Sequence, residues 1–276
     1  MENSNTLTSS LPILHKLSIP YVVSLIVAVL MSAASVAGLL NPDMLYPTVE
    51  TKQNFLPNDL VNLLIGLPIL LGSLWFVWRG NLLALLLWPG SLFYNFYNYL
   101  IYTFGLPLSW MTGVYLSLAL LSAFCAFDLL RRIDQKTIQV RLNHVAPVKT
   151  AGWVMIGFGV LFIFRAISVV TAPVTSGTAL PIDEIGLAVA DITLSILWIA
   201  SGGLLLRRKP WGFVSSLGLL FAASMLFVGL IVFLFVQPLL TEVALSLVDI
   251  VVVAAMSLVC FVPFGLFGRA VRSLSG

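Results

Sequence analysis

The chain has 276 residues, 60% hydrophobic and 9% charged, with a formal net charge of +3, and its mean hydropathy is +1.06. Ordinary soluble domains are roughly 45–50% apolar and about 25% charged, so this composition excludes a water-soluble fold, a disordered chain and a nucleic-acid-binding domain. Two cysteines, Cys125 and Cys260, and two histidines, His15 and His144, argue against a disulfide framework or a His/Cys metal centre.

A helix that crosses the hydrocarbon core needs roughly 20 mostly apolar residues. Cutting the chain at charges, Pro/Gly turns and polar clusters predicts an all-α, polytopic transmembrane bundle of eight spans. The first four are Ile19–Leu40, Leu60–Trp78, Leu82–Phe104 and Met111–Leu130, and the last four are Ala151–Ala172, Leu187–Leu206, Phe213–Val236 and Val243–Gly268. Lys16 precedes the first span and Arg79 joins the second to the third. Arg131, Arg132, Lys136, Arg141 and Lys149 fill the central connection, Arg207, Arg208 and Lys209 follow span six, and Arg269 and Arg272 follow span eight. The alternate connections carry the acidic residues Asp43, Glu50, Asp59, Asp183, Glu184 and Glu242, with Lys52 the one cation. The positive-inside rule then puts both termini in the cytoplasm, in a multi-pass protein of the plasma membrane. Ser35-Val36-Ala37 could serve as a signal-peptide cleavage site, but the first apolar stretch is longer than a signal core. Trp75, Trp78, Trp153 and Trp211 are expected at the cytoplasmic boundary, and Tyr46, Trp110 and Tyr115 at the outer one.

The two halves share a layout. Ser32-Ala33-Ala34-Ser35-Val36 can be laid over Arg165-Ala166-Ile167-Ser168-Val169, and each half continues through an acidic approach, Asp59 or Asp183, to a tight basic hairpin. The expectation is a parallel repeat of two four-span units. Residues 1–18 form a cytoplasmic segment, 19–130 the first unit, 131–150 a basic linker, 151–268 the second unit and 269–276 a tail.

Charged groups at membrane depth face the bundle interior or water and default to functional hypotheses. At about 1.5 Å per residue, Arg165 lies roughly 10 Å from the outer end of its span, Asp191 roughly 7 Å and Asp249 roughly 9 Å. Asn98 is about as deep as Arg165, and Asn62 is shallower. Asn95, Asn98 and Tyr102 follow an i, i+3, i+7 spacing that shares one helical face. Together these residues predict a polar pocket open to the outer side, lined by Arg165, Asp191, Asp249, Asn98, Tyr102, Asn62 and Asn95. Arg165 either binds an anionic group or holds Asp191 as an ion pair, and the asparagines also suit a role as interhelical glue. Asp249 has no second basic residue at its depth, which makes it a proton-carrier candidate. Pro68, Pro89-Gly90 and Pro263 break their spans and either free carbonyls for a site or are simply tolerated.

No lysine or histidine falls within a predicted span, and the chain has no phosphate loop or nucleophile elbow. No catalytic residue, metal or cofactor is therefore assigned. The leading expectation is a small-solute or ion permease or binding protein, with proton coupling. The alternatives are a membrane-embedded enzyme acting on a lipid-type substrate, which is less favoured, and a non-catalytic subunit or assembly factor. Expected partners are the lipid bilayer, a small solute or proton, and a membrane protein or a second copy of the chain, with no nucleic acid.

The stretch Asp59–Pro68, the run Leu87-Trp88-Pro89-Gly90 through Tyr99, and Ser224 through Gln237-Pro238 resemble a group of uncharacterised prokaryotic polytopic integral membrane proteins. The resemblance covers the chain from about Asp59 onward. It implies a multi-span fold and carries no activity, ligand or site residue.

Overall fold

A computed structural model of the protein describes residues 11–177 and 180–274. Parts of two expected segments, residues 1–10 of the N-terminal segment and 275–276 of the tail, lie outside the described residues. Among the described residues the architecture is all-helical, with one isolated backbone bridge between Ile13 and Ile133.

The helices run in chain order as α1 (Ser18–Leu40), α2 (Pro42–Leu45), α3 (Val49–Val61), a π-helical turn (Asn62–Gly66), α4 (Leu67–Trp78) and α5 (Leu82–Gly105). They continue as α6 (Trp110–Arg132), α7 (Gln135–Leu142), α8 (Val148–Ser176), α9 (Ile182–Leu206), α10 (Pro210–Leu240) and α11 (Leu247–Arg272). Among the described residues, seven stretches are long and apolar enough to cross a membrane, with α3, the π turn and α4 acting as one continuous stretch, Val49–Trp78. The chain is thus a multi-pass membrane protein by length and composition. The helix outside that set is α5, and its position explains why. It packs against α4, α6, α9 and α10, so its Tyr94, Asn95, Asn98, Tyr99 and Tyr102 are buried against protein and need no apolar surface toward lipid. By contrast α8 and α11 leave most of their apolar windows uncovered, and Phe164, Val251 and Leu258 are among their exposed side chains.

Local chemistry sets the helix ends. Thr48 and Thr51 cap α3 reciprocally, each hydroxyl accepting the other residue's backbone N–H at 3.1 Å. Residues 41–59 are expected to be the connection between the first two spans, but this cap starts a helix there that runs through Asp59. The π turn directly precedes Pro68, which has no N–H for the Leu64 carbonyl and whose ring crowds it, so the helix widens by one residue. Pro89 leaves α5 unbroken. Beside it, Gly90 meets Gly218 of α10 so closely that a Cβ on Gly90 would collide with the Gly218 backbone. Gly186 of α9 similarly sits 2.5 Å, measured from its would-be Cβ, from the Ile101 carbonyl of α5. Such close backbone approach is how helices associate where lipid removes the hydrophobic drive.

Two ends of the bundle can be told apart by their contacts. At the basic end, Leu14 donates its N–H to the Arg132 carbonyl at 2.7 Å. Gln139 of α7 reaches the Arg208 carbonyl at 2.6 Å, and Arg208 bonds Asn143 at 2.6 and 2.7 Å. Arg132 also pairs with Asp128 at 2.7 Å. At the acidic end, Asn54 donates to Asp183 at 2.7 Å and Gln237 to the Gln53 carbonyl at 3.0 Å. Trp75, Trp78, Trp153, Trp211 and Trp110 are exposed, as boundary residues should be. Tyr46 and Tyr115 are instead buried, Tyr46 completely, with the Tyr46 hydroxyl donating to Asp59.

Candidate functional site

A cavity of about 410 Å³ opens among α3, α5, α8, α9 and α10. Its floor is aromatic and aliphatic, with Trp198, Phe162, Phe227 and Leu226 joined by the ring of Tyr94. Phe162 and Trp198 meet edge to face at 5.6 Å, and Phe158 links Trp198 to Phe227 from behind. The upper wall is polar, formed by Asn54 and Asn58 of α3, Tyr97 and Asn98 of α5, Arg165 of α8, and Asp183 and Glu184 of α9.

The charges on that wall are unequal. Arg165 is committed, since its Nη1 bonds Asp191 Oδ2 at 2.5 Å, and Tyr97 donates to the other carboxylate oxygen at 2.7 Å. The Asp191 side chain is wholly buried behind these two groups, whereas the Arg165 side chain is 39% exposed. Glu184 approaches Arg165 Nη2 only to 3.9 Å, and its Oε2 has no hydrogen-bond partner. Asp183 takes the Asn54 amide. One guanidinium therefore shares this end of the cavity with three carboxyl side chains, which makes the wall acidic. Of the two roles expected for Arg165, the geometry gives it the pair with Asp191.

A second polar cluster lies on the opposite faces of the same helices. Asp59 is 2% exposed and accepts hydrogen bonds from Tyr46 and, at 3.0 Å, from Tyr102. Tyr102 also lies 3.3 Å from the Phe55 carbonyl, and the Asn62 amide reaches its hydroxyl at 3.5 Å. Tyr115 stacks on the ring of Tyr99 and tilts against Tyr102. Burial first, and the Asp59 carboxylate second, push the Tyr46 phenol above its ordinary range and keep it a protonated donor. Asn95 and Asn62 are fully buried, and neither Asn62 Oδ1 nor either amide atom of Asn95 has a partner among the described residues.

The seven expected site residues thus fall into different places. Arg165 and Asn98 line the cavity, and Asp191 stands just behind it. Asn62 and Tyr102 belong to the Asp59 cluster, and Asn95 is buried beside Gly66 of the π turn, because residues 94, 97, 98 and 101 of α5 line the cavity while 95, 99 and 102 do not. Asp249 belongs to neither. It is exposed in the first turn of α11, its N–H bonding the capping Ser246 hydroxyl at 3.3 Å, so its expected place in the pocket is corrected. An acidic residue there is favoured by the helix N-terminus. Sequence reasoning missed Asp59, Glu184 and Tyr97 as site residues. The signal for Asp59 was its i, i+3 spacing to Asn62, together with the Thr48/Thr51 cap that makes the segment helical.

Family models, curated proteins and solved structures give no match to this chain. Function therefore rests on the two polar sites and on the shape of the bundle.

Proposed function

We propose that the protein is a permease or solute-binding protein of the plasma membrane, and that its cavity holds a small organic cation with an apolar body. The observation that carries this is the pairing of an acidic wall, in which Arg165 is already taken by Asp191, with an aromatic floor of Trp198, Phe162 and Phe227. A cation placed there gains the Asp183 and Glu184 field at one end, aromatic faces at the other, and burial of its apolar groups.

The topology that goes with this function has eight spans, α5 being the eighth, and cytoplasmic termini. It is supported by the meeting of the basic connections at one end of the bundle. A parallel four-plus-four repeat is supported by the neighbour pattern. In the first half α1 and α5 each pack against both α4 and α6, and in the second α8 and α10 each pack against both α9 and α11. The cavity then opens to the outer side and lies where the two halves join.

The test uses two probes of the same shape and opposite charge, tetraphenylphosphonium and tetraphenylborate, titrated against purified protein in detergent by calorimetry. The phosphonium is expected to bind and the borate to fail. Glu184→Gln should weaken phosphonium binding by about fivefold, the loss of one partly screened charge contact. Equal or tighter binding of the borate refutes the cationic site.

A further inference from the structure

The Asp59 carboxyl is buried at the acidic end, and none of the ion pairs among the described residues includes it. The groups that face it are neutral hydroxyls, those of tyrosine phenols and of Ser35 of α1. Tyr46 comes from the turn after α2, Tyr99 and Tyr102 from α5, and Tyr115 from α6, while α1 presents the backbone of Gly38, where a Cβ would collide with the carboxyl. The nearest other charged residues on the packed elements are directed elsewhere. Lys52 pairs with Asp43, and Asp183 takes Asn54 on the cavity side of α3. A carboxylate in such a place is balanced either by a proton or by a bound cation.

The hydroxyl of Tyr102 distinguishes the two. It has one hydrogen and two acceptors within reach, Asp59 Oδ1 at 3.0 Å and the Phe55 carbonyl at 3.3 Å. With Asp59 ionised, Tyr102 donates to Oδ1 and Tyr46 to Oδ2. When a proton from water binds Oδ1, the new O–H donates to the Tyr102 oxygen, and the Tyr102 hydrogen rotates to the Phe55 carbonyl, which has a second lone pair to accept it. Both protonation states are satisfied without moving a heavy atom. A metal cation would instead need several further oxygen ligands, and no cluster of three or more acidic, His or Cys side chains that could hold one occurs among the described residues. Unpartnered Asn62 Oδ1 and the Asn95 amide continue the polar stripe along α3, the π turn and α5, and buried amides of this kind call for water.

We propose that Asp59 is a proton-binding site, and that its proton exchanges against a cation in the adjoining cavity. The proton site stands on its own geometry; the exchange rests on the function proposed above. The two sites share walls. Asn58 and Val61 flank Asp59 in sequence and line the cavity, and Tyr94 and Tyr97 line it from the helix that carries Tyr102. Protonation removes one negative charge within a turn of the cavity wall, so cation affinity falls as pH falls, and by linkage cation binding expels the proton.

Infrared difference spectroscopy of the protein in lipid nanodiscs, stepped from about pH 4 to about pH 9, reads the carboxyl directly. The expected result is a protonated-carboxyl band in wild type that exchanges for a carboxylate band and is missing in Asp59→Asn. Identical difference spectra for the two proteins overturn the proposal, as does a band that follows sodium at fixed pH. If Asp59→Asn does not fold, Tyr102→Phe keeps the carboxyl and removes its hydrogen-bond partner. The band should then change frequency, and an unmoved band overturns the assignment. In the second arm, tetraphenylphosphonium affinity should be about tenfold lower at about pH 4 than at about pH 9 in wild type, and the change should be clearly smaller in Asp59→Asn. Binding that ignores pH while the Asp59 band titrates overturns the exchange. No binding at any pH overturns the exchange together with the cavity's cationic ligand, and the infrared result alone then decides the proton site.

Discussion

Arg165 and Asp191 form a pair whose two members differ in burial, and that difference predicts an asymmetric response to mutation. Opposite charges about 4 Å apart attract by about 4 kcal/mol at an effective dielectric of about 20. The Arg165 side chain is 39% exposed and Asp191 wholly buried, so screening on the Arg165 side reduces the usable part to about 2 kcal/mol. Arg165→Gln strands a buried carboxylate held only by Tyr97, which raises the loss to about 2–3 kcal/mol. Asp191→Asn leaves a guanidinium that can reach water and Glu184, and the Asn oxygen still accepts from Tyr97, so that variant loses about 1 kcal/mol. The double variant should match Asp191→Asn rather than the sum, because no unpaired charge remains. Unfolding by SDS in mixed micelles or bicelles measures all four proteins. An Asp191→Asn loss equal to or larger than that of Arg165→Gln would refute the reasoning, as would additive losses in the double variant.

Two further predictions concern packing and a cap. Gly186→Val drives a side chain into the Ile101 carbonyl and the Gly105 backbone of α5, and should destabilise the bundle by about 3 kcal/mol or more in the same assay. Gly72→Ala, with nothing within 4 Å of the new Cβ, should be neutral or stabilise by up to about 1 kcal/mol. At the basic end, the Asp134 carboxyl accepts from the Thr137 hydroxyl at 2.7 Å and its backbone N–H at 3.1 Å, and these bonds hold it below the usual carboxylate range. A depressed value means the cap is fully effective above about pH 3.9 and is lost as pH falls through the lower folded value. Hydrogen exchange over Gln135–Leu142 should be faster in Asp134→Ala than in wild type at neutral pH, and the difference should disappear below that value. A difference that persists in strong acid would mean the carboxylate is not the cap.

Much of the site was legible as a list of polar residues and little of it as an arrangement. Arg165, Asp191 and Asn98 stand out in the sequence because ionisable and amide groups are expensive in lipid, and such residues fall together whenever a bundle has a polar interior. Asp249 stands out for the same reason. Depth alone does not separate a carboxylate in an interior from one at the first turn of a lipid-facing helix, and the uncovered face of α11 decided that case. Asp59 was hidden by its neighbours, since Asn54, Pro57 and Asn58 resemble a loop until the Thr48 cap and the π turn before Pro68 are seen to make one continuous helix.

What the sequence determined by itself was the solvent and the all-helical, multi-pass class. Apolar runs of this length with 9% charged residues leave only a multi-pass helical membrane protein, because lipid offers backbone groups no partner and each helix must satisfy its own. The tertiary structure decided which face of each helix meets which neighbour. A rotation of about 100° per residue separates Asn98 on the cavity wall from Tyr99 and Tyr102 beside Asp59, and only the packing of α5 against α6, α9 and α10 sets where that rotation starts. It is set by contacts distant in sequence, such as Gly90 on Gly218 and Gly186 on Ile101, which no local pattern of residues encodes.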